Sequence, residues 1–371
     1  MPRDRDYRYW LYEHQFSSSG EFFENLRGIV KSGVKLNVLL IASLVDLKHE
    51  LQIWSPENYT VTASNSLPVF TIDVEKEFKK REPAHAKAVI VRYTDDLPVY
   101  LVVSDCNAVD FDELFTRLMN KHYPNTARIF LTNSEMRSIF DSLGKSTGTK
   151  IYVDSSVAKR RMISGKKESF VQYTDTPYEE VFNDVEALGA WIQNIEFTAR
   201  KVSEAGIETP DKMFIGVIAR GCFFRCRRDF APFIQIIIPK AINFASVRFE
   251  YLRARAETAP QRKPEPVVIR FDEEIFADPR MNHQYIEALA QLEKVSVSQY
   301  HSNPYMHLSL LDYDDGSSYD LWVVSSNRMV IIPELKASPA SMSRLLNHIY
   351  ERIHEGHVEE YAQTASSTPA G

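Results

Sequence analysis

Two apolar runs near the C-terminus carry acidic and basic residues whose spacing suits metal chemistry. In YDLWVVSSNRMVIIPELKAS, residues 319–338, Asp320 lies near the start of the first run, and Glu334 and Lys336 close the second. Pairing as an antiparallel hairpin would bring the two carboxylates together, and Glu334 and Lys336 would share one strand face. Two carboxylates suit Mg²⁺, which activates a bound water, and a nearby ammonium stabilises charge on a phosphate. The stretch therefore predicts phosphodiester cleavage; the alternative is a plain hairpin with solvated polar ends.

These residues lie in a block, residues 283–353, that resembles the core of the PD-(D/E)XK nuclease superfamily. The predicted order of one helix, three strands and a second helix is the order with which that family's fold begins. The resemblance implies that Asp320 and Glu334 bind Mg²⁺ and that Lys336 is catalytic. It also implies a further acidic ligand on the first helix, for which Glu287 is the available residue.

One residue departs from that family pattern. Pro333 immediately precedes Glu334, and proline cannot donate a hydrogen bond to a strand ladder, whereas the third strand of the family is central. If this strand lies at the edge of its sheet, Glu334 and Lys336 are solvated and the hairpin is structural. The position of the strand in the sheet therefore separates a nuclease from a non-catalytic scaffold.

Basic residues are segregated in the sequence, although the formal net charge is −6. Residues 145–167 carry a net charge of +6, and residues 200–265 carry another +6 around RGCFFRCRRDF. Such segregation is typical of a phosphate-binding face on an acidic body, and the alternative is two solvated loops. The phenylalanines of the second segment are expected in the core. The predicted nucleic-acid contacts are Lys159, Arg160, Arg161, Lys166, Lys167, Arg220, Arg225, Arg227 and Arg228.

Length and composition bound the class of protein. The chain of 371 residues is long enough for two ordinary domains. Its longest apolar run, VKLNVLLIASLV, is too short to span a bilayer, and its charged N-terminus does not resemble a secretory signal. Three cysteines are too few for a disulfide scaffold. We therefore expect a cytoplasmic protein without a membrane partner.

Hydrophobic periodicity divides the chain into four parts. We predict an N-terminal α/β domain over residues 1–150, a basic linker over 151–175, a C-terminal α/β domain with the nuclease-like core over 176–360, and a disordered tail over 361–371.

Two helices have recognisable start signals. DTPYEEVFNDVEALGAWIQNIEF predicts a helix that Thr176 caps, that Glu179 supports through a capping box and that ends by about Gly206. An earlier helix, SEMRSIFDSLG, is expected to be capped by Ser134.

A hairpin followed by a helix occurs twice, at residues 88–123 and 319–353, which indicates a duplicated strand–strand–helix platform. The predicted fold is α/β or α+β, with mixed sheets in two domains. The leading functional prediction is a Mg²⁺-dependent nuclease-like protein that acts on nucleic acid in defence or repair. The alternative is a non-catalytic scaffold or nucleic-acid-binding subunit of a larger complex, for which a protein partner or homo-oligomer is expected.

Overall fold

A computed structural model describes residues 6–30, 34–64, 68–80, 82–93, 98–161, 169–172, 175–202, 208–256 and 265–359. These residues form an α+β fold with two sheets, one in each of two compact units. The first unit runs to Phe249, and the second starts at Glu250. The predicted boundary at residues 151–175 differs from this division, because strands before, within and after that segment belong to one sheet.

Twelve strands are present in the described part of the first unit. These are β1 (Leu36–Ser43), β2 (Tyr59–Ser64), β3 (Val69–Lys76), β4 (Ala84–Arg92), β5 (Val99–Ser104), β6 (Thr126–Arg128), β7 (Thr149–Arg160), β8 (Ser169–Gln172), β9 (Thr176–Pro177), β10 (Ala190–Val202), β11 (Glu208–Ala219) and β12 (Phe223–Arg228). The order is β2-β3-β4-β5-β1-β12-β11-β10-β7-β8, with β6 beside β1 and β9 beside β7. All described pairs are antiparallel, whereas mixed sheets are predicted. Strand β1 is buried along its whole length, as a strand covered on both faces is.

The helical segments of the first unit precede, connect and follow these strands. They are α1 (Asp6–Arg8) with a π-helical turn (Tyr9–Glu13), α2 (Ser19–Val30), α3 (Leu47–Ile53), α4 (Ala108–Phe111) with a π-helical turn (Asp112–Thr116), α5 (Arg117–Lys121), α6 (Asn133–Thr147), α7 (Tyr178–Ala187), and a π-helical turn (Phe233–Ile237) before α8 (Ile238–Ala256). Side chains of α3, α4 and α5 join those of β1 and β3–β5 in one buried cluster. Helix α8 starts in the first unit and ends in the second.

Over residues 265–359, the second unit holds a six-stranded antiparallel sheet. Its elements are β13 (Val267–Arg270), a 3₁₀ turn (Pro279–Met281), α9 (Asn282–Leu289), β14 (Val295–His301), β15 (His307–Asp312), β16 (Ser318–Ser325), β17 (Arg328–Pro333), α10 (Pro339–Arg352) and β18 (His357–Glu359). The strand order is β14-β15-β16-β17-β13-β18. Strand β17 is therefore central.

Helices α9 and α10 cover one face of this second sheet. Leu308, Leu310, Tyr319 and Leu321 alternate with more exposed residues along β15 and β16, and all four are at most 2% exposed. The Tyr319 hydroxyl donates to the carbonyl of Ser338 at the start of α10 (3.4 Å). Burial of each such side chain stabilises the fold by roughly 1.5–3 kcal/mol. The period-2 pattern therefore leaves the opposite face of the sheet for polar and exposed residues.

The helix predicted from Thr176 to about Gly206 is wrong. Helix α7 ends at Ala187, and Gly189 has φ of 58°, in the left-handed region that favours glycine after a helix. The chain then enters β10, whose pairing with β7 and β11 overrides the helical spacing.

The predicted capping box also lies elsewhere. Thr176 is in β9, and α7 has no side-chain cap. The box forms instead at α6, where the hydroxyl of Thr132 accepts from the backbone of Glu135 and the Glu135 carboxylate accepts from the backbone of Thr132. The N-cap of α6 is therefore Thr132, two positions before the predicted cap Ser134.

The hairpin-plus-helix arrangement occurs at both predicted places. Strands β4 and β5 pair and are followed by α4, and β16 and β17 pair and are followed by α10. Across the described ranges, no helix is long and apolar enough to cross a bilayer. The tail predicted over 361–371 lies outside the described residues.

Candidate functional site

The face of the second sheet opposite α9 and α10 carries aromatic side chains. Tyr300 in β14, His307 in β15 and Trp322 in β16 lie there, and Tyr300 is 66% and Trp322 40% exposed. We call this the aromatic face and define it by Tyr300, His307, Ser309, Asp320 and Trp322. Aromatic side chains that gather on an exposed sheet surface indicate a contact surface, since they otherwise enter the core.

The three aromatic rings form one stack across three strands. The ring centroids of His307 and Trp322 are 3.8 Å apart with an interplanar angle of 22°, and those of Tyr300 and His307 are 4.8 Å apart at 37°. Neighbouring strands lie about 4.8 Å apart, so rings that stand on adjacent strands meet at stacking distance. The stack places His307 in the middle and leaves Tyr300 and Trp322 as its two ends.

A carboxylate lies beside the stack. Asp320 Oδ2 is 3.5 Å from His307 Nε2, and Asp320 pairs in register with Ser309 on β15. Asp320 is two residues from Trp322 on the same strand, so both side chains point to the same face. An ionised carboxylate only accepts hydrogen bonds. The aromatic face therefore combines a stacking surface with an acceptor at its side.

Glu334 follows the central strand β17 directly. Pro333 is the last residue of β17, two positions past the end of the pairing with β13, which is where a proline fits a central strand. The Glu334 N–H donates to the carbonyl of Ser318 (3.0 Å), so Glu334 lies across from the residue two positions before Asp320. The Glu334 side chain is exposed.

Lys336 is engaged by a different part of the unit. Its ammonium donates to the backbone carbonyl of Asp315, in the turn between β15 and β16. A catalytic lysine must instead reach the scissile phosphate. The contact to Asp315 gives Lys336 a structural role in this position, and its catalytic role stays a prediction.

The turn itself, Asp312–Ser317, contains three aspartates, and we call it the acidic turn. Asp312 is 2% exposed, accepts from the Ser341 hydroxyl (2.7 Å) and pairs with Arg344 (2.7 Å). Ser341 and Arg344 both lie in α10. Asp312 therefore attaches the turn to that helix.

The other two aspartates of the acidic turn are also engaged. Asp314 pairs with Lys294 (2.7 Å) and with Arg344 (3.1 Å). Asp315 accepts from the Ser317 backbone (2.8 Å) and from the hydroxyl of Ser338, the N-cap of α10. The hydrogen bond to Asp314 raises the pKa of Lys294. Ammonium and guanidinium groups thus occupy the positions that a bound cation would take.

The predicted metal ligands do not gather at one point. Glu287 lies on α9, on the other side of the sheet from Asp320, and pairs with His283 (3.2 Å). Among the residues that the structure describes, no three His, Cys, Asp or Glu side chains are grouped to hold a metal ion. Asp320 and Glu334 are the two predicted ligands that lie at the same end of neighbouring strands.

Two of the predicted basic residues lie side by side on the first sheet. Arg225 and Arg227 alternate along β12 with buried Phe224 and Cys226, so they point to the opposite face. Arg225 Nε donates to Asn37 Oδ1 (3.0 Å), and burial lowers the pKa of Arg225. The Arg225 guanidinium is therefore only partly accessible to a phosphate from solution.

The remaining predicted basic residues are dispersed. Arg220 is 2% exposed and lies over the rings of Phe130 (5.5 Å) and Trp191 (5.1 Å), so a phosphate contact does not fit it. Lys159 lies over Trp191 as well (5.4 Å). Arg160 ends β7, Arg161 follows it, and Arg228 ends β12. Lys166 and Lys167 lie outside the described residues.

The first unit also contains a cleft of about 440 Å³, lined in part by Arg8, Tyr12, Lys87, Asp105 and Cys106. Asp105 accepts from the hydroxyl of Tyr12 (2.5 Å) and pairs with Arg8 (3.2 Å). Burial raises the pKa of the Cys106 thiol to about 11, so this thiol is a poor nucleophile near neutral pH. Tyr12, Arg8 and Asp105 are therefore bonded to one another, and the raised pKa of Cys106 leaves no activated thiol among the described residues that line the cleft.

Tyr300, His307 and Trp322 are not among the residues predicted from sequence. A signal was present for two of the three in MHLSL and DLWVV, where His307 and Trp322 stand at the positions that alternate with apolar ones, but Tyr300 in SQYH has polar neighbours. Periodicity assigns such residues to the exposed face, but not to one cluster, because the cluster depends on the register between three strands.

No protein-family model matches the chain, and a search of curated proteins finds no significant match.

Proposed function

We propose that the protein binds single-stranded nucleic acid on the aromatic face of its second sheet. The observation that carries the proposal is the exposed three-ring stack of Tyr300, His307 and Trp322. Bases of a single strand stack on aromatic side chains of open sheets, and each stacked base contributes about 1–3 kcal/mol. A cytoplasmic location is part of this proposal, since the sequence offers only three cysteines.

Two arginines on the same side of the sheet support this ligand. Arg328 is two residues from Val330, the partner of Trp322, and Arg270 is the partner of Arg328 on β13. Both are about half exposed and lie 3.8 Å and 3.1 Å from Glu359. A phosphate that replaced Glu359 would keep a charge-assisted contact to both arginines. The residues that would stack on bases and the arginines that would donate hydrogen bonds to phosphate therefore lie on adjacent strands.

A second candidate function is Mg²⁺-dependent cleavage of the bound strand. It is favoured by the central position of β17, which the nuclease prediction requires, and by the position of Glu334 near Asp320. Asp320 and Glu334 would hold the metal, which would supply an activated water. Lys336 is absent from this proposal because it contacts Asp315.

Binding is tested by anisotropy titration of labelled 12-nucleotide single-stranded DNA and RNA. The Trp322→Ala variant is expected to lose roughly 5- to 150-fold in affinity, the equivalent of one stacked base. Trp54→Ala is the matched control, because Trp54 is 45% exposed and lies in the first unit. Equal affinity of wild type and Trp322→Ala, or no binding by wild type at low salt, would overturn the proposal.

Cleavage is tested in the same samples. Mg²⁺ is added, an EDTA sample serves as a control, and Asp320→Asn and Glu334→Gln are compared with wild type. Cutting that both variants lose supports the second candidate. Binding without cleavage would support the binding function and contradict the second candidate.

A further inference from the structure

We infer that the aromatic face selects guanine among the bases of a single strand, with Asp320 as the reading residue. The inference rests on the proposed nucleic-acid binding and adds a base preference to it. Its basis is the juxtaposition of an exposed stacking ring, Trp322, and a carboxylate, Asp320, two residues apart on one face of β16.

The chemistry of the carboxylate determines the preference. Guanine presents two adjacent donors, N1–H and N2–H₂, on its Watson–Crick edge, and a carboxylate accepts from both. Cytosine and adenine place an acceptor nitrogen beside their amino group, and that nitrogen is repelled by the carboxylate. Thymine and uracil flank their single N–H with two carbonyl oxygens. An ionised acceptor-only group therefore favours guanine.

The surroundings keep Asp320 available for this role. Its side chain is 27% exposed, and its cross-strand neighbour on the same face is Ser309. His307 Nε2 lies 3.5 Å from Asp320 Oδ2, beyond a normal hydrogen bond. In contrast to the carboxylates of Asp312 and Asp314, the Asp320 carboxylate is not held by an arginine or a lysine among the described residues. A base that stacks on Trp322 can present its edge to this carboxylate, since adjacent same-face positions on a strand are about 6.6 Å apart.

The spacing of the stack supports a planar ligand at this place. Rings on three successive strands already lie 3.8 Å and 4.8 Å apart, and a base that continues the series at Trp322 adds a further ring at the same kind of distance. Arg328, on the neighbouring strand, lies on the same side of the sheet as Trp322. The phosphate of the stacked nucleotide therefore has a cationic group near it, while the base edge has Asp320.

The test compares the full chain on d(TTG)₄, d(TTI)₄, d(TTC)₄ and dT₁₂. Inosine is the sharp control, because it lacks only the 2-amino group of guanine. Wild type is expected to bind d(TTG)₄ about tenfold or more tightly than d(TTI)₄. Asp320→Asn is expected to reduce this ratio to about one, while Glu273→Gln, an exposed charge removed elsewhere in the unit, leaves it unchanged.

The ratio separates base reading from general electrostatics. Removing a negative charge raises the affinity for every oligonucleotide, but it does not change the preference between guanine and inosine. Equal binding of d(TTG)₄ and d(TTI)₄ by wild type, with binding still lost in Trp322→Ala, overturns the guanine inference and leaves the proposed function standing. A ratio that persists in Asp320→Asn also overturns it. No binding of any oligonucleotide removes the proposed function itself.

Discussion

Two acidic regions of the second unit lie a few residues apart and differ in their surroundings. In the acidic turn, Asp312 is 2% exposed and is held by Ser341 and Arg344. Asp320, on the strand that follows, is 27% exposed and lies 3.5 Å from the His307 imidazole. Both are aspartates on one hairpin, yet one is enclosed by cations and hydroxyls and the other faces solvent beside a stack of rings.

The difference separates carboxylates that hold the fold from one that is available to a ligand. A buried carboxylate costs several kcal/mol in desolvation unless it is paired and hydrogen-bonded, so the acidic turn needs every one of its partners. Asp320 remains solvated and carries no such requirement. Substitutions in the two regions should therefore affect different properties. In the acidic turn they should lower stability, and on the aromatic face they should lower binding affinity.

The largest effect is expected in the acidic turn. Asp312→Ala leaves Arg344 without its buried partner and removes the contact to Ser341, and we expect a loss of about 3 kcal/mol. Hydrogen exchange of β15, β16 and α10, followed by mass spectrometry, measures this loss. Asp272→Ala is the control, since the Asp272 side chain is 75% exposed. Unchanged protection in Asp312→Ala would contradict a structural role for the turn.

The next effect is expected on the aromatic face. Trp322→Phe keeps a ring and should retain most of the affinity, whereas Trp322→Ala should lower it roughly 5- to 150-fold. Both variants should lose no more than about 1.5 kcal/mol of stability, the worth of one aromatic pair. Binding titration and urea unfolding on the same samples distinguish a loss of affinity from a loss of stability. If a Trp322 variant lost as much unfolding free energy as Asp312→Ala, the two regions would not differ in their contribution to stability.

Glu334 and Lys336 should differ from each other although they form one sequence motif. Lys336→Met removes the contact to the Asp315 carbonyl, and we expect a loss of about 1 kcal/mol. Glu334→Gln alters an exposed side chain and should stay within about 0.5 kcal/mol of wild type. Urea midpoints of the two variants test this order. Equal midpoints would show that Lys336 contributes nothing to the turn.

The smallest effect concerns salt. Arg328→Gln should weaken single-strand binding evenly across sequences and reduce the slope of log K against log salt by about 0.7, the value of one phosphate contact. Anisotropy titrations between 50 and 200 mM salt, roughly the range in which such contacts are resolved, provide the slope. A slope equal to that of wild type would remove Arg328 from the interface.

Much of the fold followed from periodicity. The hairpins β4–β5 and β16–β17 have short apolar runs, and the helix after each has amphipathic spacing. The helix predicted beyond Ala187 failed, because Ile192 and Ile195 have a helical spacing, and a register shift between Ile192 and Asn194 lets both be buried in strand β10. Pairing with two neighbouring strands decided between them, and that information is not local.

The candidate site was harder to predict. Asp320 is predicted as a site residue because a carboxylate interrupts an apolar run, and Lys336 is predicted to be catalytic because Glu-Leu-Lys matches a short motif. The motif does not show that the Lys336 ammonium reaches Asp315, which depends on the path of the turn. Tyr300 and His307 come from two further strands, so only the register of the sheet brings them to Trp322.

Quenching of Trp322 fluorescence by a single-stranded oligonucleotide would report directly whether a base stacks on this ring. The signal of Trp322 is the difference between wild type and Trp322→Phe, which leaves the other three of the four tryptophans in both proteins. Stacking of a base on the ring predicts saturable quenching in this difference, at the concentration at which anisotropy reports binding. Binding that leaves the Trp322 difference signal unchanged would place the nucleic acid elsewhere and contradict the account.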